Sequence, residues 1–238
     1  MGFGFMPLFN IQYLMYMLPA ILLMLLAQGM VSSAYRKWGQ VPARSRMTGT
    51  DAANRLISTA GLNNVRIANT PGVLSDHYDP RDKTLYLSQG VAYGQSVASL
   101  AVAAHELGHA LQDQEDYFPL RVRSLLVPAV NIGSILGWVF IILGIIIGWS
   151  GLAWLGVLVF SGGVLFALAT LPVELNASAR ARLLLTNSGL IMDEEEQKGV
   201  NQVLNAAAMT YVAALASAVL QLFYFVSLVG GIGGRRRN

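Results

Sequence analysis

The sequence predicts a mainly α-helical integral membrane protein, with about four transmembrane helices and a small α+β cytoplasmic domain. Three observations lead there. Of 238 residues, 54% are hydrophobic and only 12% charged, where a soluble domain carries about 25% charged residues. The deficit is concentrated: residues 1–35, 124–173 and 199–234 contain no Asp, Glu, Lys or Arg. The remaining polar chain, 36–123 and 174–198, alternates turn residues with short runs of helical or strand-like pattern.

A membrane-crossing helix needs about 20 apolar residues. The run 124–173 is long enough for two crossings joined at Trp149-Ser150-Gly151, with Trp138 and Trp154 as interfacial anchors. Spans are therefore predicted at about 13–32, 128–148, 152–171 and 207–230. The leading MGFGFMPLFN has no positive n-region and Val31-Ser32-Ser33-Ala34 is a poor cleavage site, so the first span reads as an uncleaved anchor.

Arg36, Lys37, Arg44 and Arg46 follow the first span, and Arg121 and Arg123 precede the second. Excess Lys and Arg in short loops mark the cytoplasmic side, which places 36–123 inside and the N-terminus outside. Arg235-Arg236-Arg237 conflicts with this. A full fourth crossing puts that tail outside, so either the short tail breaks the rule or the last helix stops short.

Within the polar segments, Thr50 is placed to cap a short helix with Ala53, Leu56, Ile57 and Ala60 on one face and Gly61 as its stop. Val65–Ile67 and Thr84–Leu87 read as strands, with a turn at Asp79-Pro80-Arg81-Asp82. A helix is expected from about Ser96 to Asp113. The segment 174–198 starts helical, breaks at Asn187-Ser188-Gly189 and restarts near Asp193, with Glu194-Glu195-Glu196 as a solvated helix start. The domain 36–123 is too small for a large core of its own and is expected to lean on the membrane helices.

The run AVAAHELGHALQD (101–113) holds two of the chain's three histidines. Residues four apart share a helix face, so His105 and His109 can turn ring nitrogens toward one metal ion. Glu106 projects beside that face, where it suits a base acting on metal-bound water. A plain pair of core histidines would leave three ionisable groups buried within five residues, and unpaired buried polar groups are costly. Catalytic zinc takes three protein ligands and keeps one position open. His77 and Glu174 are the candidates for the third. His77 lies in a turn before a strand. Glu174 follows the charge-free run 124–173, where a carboxylate needs a metal or a partner such as Arg180 or Arg182. Glu174 is favoured because the two histidines otherwise lack a third ligand. The absence of cysteine excludes disulfides and thiolate zinc sites. A net charge of +3, with no basic stripe of interleaved aromatics, gives nucleic-acid binding no support.

At this point the chain resembles the YugP-type membrane zinc metallopeptidases, small bacterial membrane proteins of the gluzincin group (HExxH…E). The blocks are DHYDPRDKTLYLS (76–88), VAAHELGHALQD (102–113), YFPLRVRS (117–124), LPVELNASARA (171–181) and VLNAAAMTYVAA (203–214). The resemblance implies a zincin-like cytoplasmic domain, one Zn2+ per chain, His105, His109 and Glu174 as ligands and Glu106 as general base. Related gluzincins carry an aspartate four residues after the ligand glutamate. Ser178 replaces it here, leaving Asn176 or Ser178 to support an imidazole. His77, Arg180 and Tyr211 are further candidates near the transition state. Thr84–Ser88 is a candidate strand edge for an extended peptide, or else half of an ordinary hairpin.

The expected organisation is an N-terminal anchor (1–35), a catalytic domain with the HExxH helix (36–123), a membrane hairpin (124–173), a membrane-proximal segment supplying the third ligand (174–198) and a C-terminal hydrophobic helix with a basic tail (199–238). The expected function is peptide-bond hydrolysis by zinc-activated water in membrane or juxtamembrane protein substrates. The expected location is a bacterial inner membrane, with the site on its cytoplasmic side. Two alternatives are a non-catalytic membrane scaffold with a structural zinc and a small transporter. The transporter is disfavoured because the apolar runs hold no charged residue to mark a pathway.

Overall fold

The computed structural model describes residues 11–234. The leading MGFGFM and the Arg235-Arg236-Arg237 tail lie outside the described residues. Four helices are long and apolar enough to cross a membrane: α1 (Ile11–Gly39), α5 (Phe118–Ile146), α6 (Ser150–Asn187) and α7 (Glu194–Gly234). Between α1 and α5 lie α2 (Gly49–Ala60), β1 (Arg66–Thr70), β2 (His77–Asp79), β3 (Thr84–Ser88), α3 (Gln89–Ala92) and α4 (Val97–Gln114).

The chain forms two compact units. One takes the chain up to Leu26, Val122–Leu171 and the chain from Tyr211 onward; the other takes Ala27–Arg121 and Pro172–Thr210. In the first unit, exposed side chains such as Leu25, Ile135 and Leu158 are apolar, as a lipid-facing surface requires. Gly148, with φ 69°, turns the chain between α5 and α6. Without lipid-excluded water to drive them together, membrane helices associate through close backbone packing. A Cβ on Gly144 would meet the Ala153 nitrogen at 2.4 Å, which shows how closely α5 and α6 approach. Tyr224 and Phe225 of α7 fill the core of this unit with Ile141, Ala153 and Val157. Trp138 packs edge-on against Phe225 with ring centroids 4.9 Å apart.

The second unit contains a three-stranded sheet in the order β1-β3-β2. β1 runs parallel to β3, and β2 runs antiparallel to it with His77 opposite Tyr86. This corrects one expectation and decides between two readings of Thr84–Ser88 in favour of the hairpin. His77 belongs to a strand rather than a turn. Thr84–Ser88 is the central strand, so it offers no free edge; the free edge beside it belongs to β2. β3 is central because Thr84, Leu85, Leu87 and Ser88 are buried, so both faces are covered, as an interior strand requires.

The cap of α2 is Thr48, not Thr50. The Thr48 hydroxyl accepts from the Asp51 nitrogen while Asp51 accepts from the Thr48 nitrogen, a reciprocal pair that satisfies two end donors. Gly61 closes the helix at φ 69°. The core joins Leu56 of α2, Leu85 and Leu87 of β3 and Leu100 and Leu107 of α4 to Ala181 and Leu185 of α6 and Val200 and Leu204 of α7. Residues 36–123 thus share their core with the second polar segment. Glu196 departs from the expected solvated helix start. It is 3% exposed, and its carboxylate accepts from the main-chain nitrogens of Arg44 and Met192.

Candidate metal centre

α4 is apolar and buried on most of its faces, and the two histidines share one face because they stand one turn apart. Ser96 caps it through the Ser99 nitrogen. Ala98, Ala101, Ala104 and Leu107 bury the side toward the core. His105 and His109, one turn apart, emerge toward α6, their rings edge-on with centroids 5.0 Å apart.

α6 brings Glu174 to them. Its charge-free run ends at Val173, and the helix continues through Pro172 without interruption. Glu174 Oε2 lies 3.3 Å from His105 Nε2 and 3.4 Å from His109 Nε2. One donor atom from each of the three residues falls within 4.8 Å of the others. The donor set fits zinc. Two imidazoles and a carboxylate are its ordinary ligands, and bonds of about 2.0–2.1 Å at tetrahedral angles separate donors by about 3.3–3.4 Å. The carboxylate is 1% exposed, and the arginines proposed as its partners are engaged elsewhere. Arg180 donates to Asn176 and Glu115, and Arg182 donates to Asn201 and Asn205.

The outer ring nitrogens are held as well. His105 Nδ1 lies 3.2 Å from the Ser178 hydroxyl. His109 Nδ1 lies 3.0 Å from Gln112 Oε1. Gln112 Nε2 in turn donates to the Val173 carbonyl at 2.8 Å and to Asn176 Oδ1 at 3.0 Å. Of the two residues predicted to support an imidazole, Ser178 touches one directly and Asn176 acts on Gln112. Gln112 was missed in the sequence. Its signal was available: an amide three residues after His109, on the next turn of a helix whose neighbours are apolar.

Electrostatics bind these groups together. Burial alone would push the Glu174 carboxyl up, but hydrogen bonds to His105 and His109 outweigh it and hold the group below the usual carboxylate range. Burial would push His109 down, yet Glu174 and Glu106 hold it above its ordinary value. Glu106 is raised by burial, against the pull of the two histidines and with a further push from Glu174.

The further candidates are His77, Arg180 and Tyr211. His77 is exposed on β2, stacked on Tyr86 with centroids 4.8 Å apart, its Nδ1 on the Ser75 carbonyl. It is not part of the donor cluster. Arg180 lies over the Tyr117 ring. Tyr211 falls in the membrane unit.

Comparison with known proteins agrees with this chemistry. Residues 13–230 match the family described as "Putative neutral zinc metallopeptidase". The chain is 42% identical over 212 residues to "Putative membrane protease YugP" of Bacillus subtilis (strain 168), covering 89% of this chain and 93% of that protein. No solved structure matches. With nearly its whole length matched to one family and a closely similar relative over the same span, the chain belongs to that zinc metallopeptidase family.

Proposed function

We propose that the protein is a membrane-bound zinc endopeptidase that hydrolyses peptide bonds in membrane or juxtamembrane substrates, with Glu106 as general base. The observation that carries this reading is the meeting of His105 Nε2, His109 Nε2 and Glu174 Oε2 at one point, with Glu106 next in sequence to the first. His105, His109 and Glu174 would hold the metal. Zinc, when bound, polarises a carbonyl and lowers the pKa of a coordinated water from about 15.7 to about 7.

The remaining steps belong to the protein. Glu106, raised by its burial, takes a proton from the attacking water and returns it to the nitrogen of the departing amine. Ser178 and Gln112 hold the imidazoles. The peptide is positioned by the free edge of β2, which offers main-chain donors and acceptors to an extended chain. His77 stands on that strand.

His105, His109 and Glu174 lie in one compact unit, and in the sequence Glu174 directly follows an uncharged run. This arrangement suits substrates that emerge from a membrane. The Lys and Arg distribution supports a cytoplasmic site, and the bacterial relative supports a bacterial cell membrane. A structural zinc scaffold would need four protein ligands, and the donor cluster among the described residues has three.

The deciding experiment is cleavage of casein and of a membrane-protein substrate by the purified protein, with and without chelator, beside Glu106→Gln. Chelator-sensitive cleavage that vanishes in the variant is expected. Cleavage indifferent to both would refute the reading.

A further inference from the structure

Gln112 is 0% exposed, and its amide makes three hydrogen bonds. Their chemistry allows one arrangement. The Val173 main-chain oxygen can only accept, so the group 2.8 Å from it must be the Gln112 nitrogen. Asn176 Oδ1 already accepts from Arg180 Nε at 2.7 Å, so it too is an acceptor for that nitrogen. Both amide hydrogens are thereby committed to oxygens. The atom left to face His109 Nδ1, at 3.0 Å, is the Gln112 oxygen, which carries no proton. His109 Nδ1 must then be the N–H. In the neutral ring the lone pair sits on Nε2, the atom 3.4 Å from Glu174 Oε2.

We propose that Gln112 is a positioning residue that locks His109 in the Nδ1–H tautomer and so presents Nε2 to the metal. This rests on the metal reading above. The same amide grips the carbonyl of Val173, the residue before Glu174, so one side chain of α4 orients one ligand and ties down the backbone beside another. His105 is held differently. The Ser178 hydroxyl can donate or accept, so it steadies the ring without dictating which nitrogen carries the proton. The constraint on the tautomer therefore acts at His109.

Two substitutions separate this role from simple helix tethering. Gln112→Leu removes the acceptor and both donors. Gln112→Glu removes both donors but keeps an oxygen facing His109 Nδ1. Zinc affinity of the full-length protein in detergent, measured against a competing chelator, should fall about 10–100-fold in Gln112→Leu. It should recover most of that loss in Gln112→Glu, with helix content unchanged in both. If the amide merely tethers α4 to α6, the two variants fall together, and the proposal is overturned.

The wild type supplies a test that needs no variant to fold. The chain has three histidines, so selective 15N-histidine spectra resolve each ring. In the zinc-loaded protein, His109 should show a protonated Nδ1 and a coordinated Nε2. Coordination through Nδ1 would overturn the role of Gln112. A wild type that binds zinc no more tightly than Gln112→Leu would do the same. A wild type that takes up no zinc would instead overturn the metal reading itself.

Discussion

A Cβ placed on Gly108 would lie 2.5 Å from the main-chain oxygen of Ala177. Only hydrogen fits between α4 and α6 at this point. The contact sits one residue before His109 on one helix and three residues after Glu174 on the other, so this close approach of the helices lies within a turn of the ligands. Gly108→Val should cost about 1–3 kcal/mol through overpacking and should weaken zinc binding by parting Glu174 from the imidazoles. Thermal melts and zinc titration check both. A variant with lowered Tm but unchanged zinc affinity would show that the close approach serves stability alone.

Glu174→Ala leaves two imidazoles in the cluster, and its zinc affinity should fall sharply. His77→Ala, outside the cluster, should keep about one zinc per chain. Bound zinc after extensive dialysis distinguishes them. Retention in Glu174→Ala with loss in His77→Ala would transfer the third position to His77.

Glu106→Gln keeps the side chain's shape but cannot accept a proton. It should retain zinc, while hydrolysis falls by about 10²-fold or more. Parallel metal analysis and single-turnover cleavage test this. Turnover near that of the wild type would remove Glu106 from the proton transfers.

Thr48→Ala removes one half of a capping box and should destabilise the protein by about 1 kcal/mol. Thr50→Ala, whose side chain caps nothing, should cost less. Equal losses in denaturation would contradict the cap assigned to Thr48.

The protein has no cysteine, so single introduced cysteines report topology cleanly. Ser58→Cys and Gln114→Cys should be shielded from an impermeant reagent in intact cells, and Ser150→Cys should react. The opposite pattern would invert the orientation.

Much of this architecture was legible in the residues. Three charge-free runs, the middle one long enough for two crossings, announce four helices, because the lack of charge over about 20 residues is a local property of the chain. His105, Glu106 and His109 stand out because helical spacing is local too. The break at Asn187-Ser188-Gly189 was visible through its turn-forming residues, and Gly189 does adopt φ 66°.

Other features depend on partners distant in sequence. Nothing in HYD (77–79) says that it pairs with β3, because three residues carry too little period to read; the sheet order made it a strand and put Thr84–Ser88 in the centre. Thr48 and Thr50 are chemically equal as caps, and backbone geometry chose between them. Glu196 looked like solvated charge until the nitrogens of Arg44 and Met192 closed over it. The sequence by itself determined which residues can bind metal and which stretches are apolar enough to cross a membrane. Tertiary structure alone decided that Glu174 Oε2 lies 3.3 Å from His105 Nε2, and that a buried glutamine controls the far side of His109. Helix period and hydrophobicity are written in neighbouring residues, whereas satisfying a buried polar atom depends on what another part of the chain brings to it.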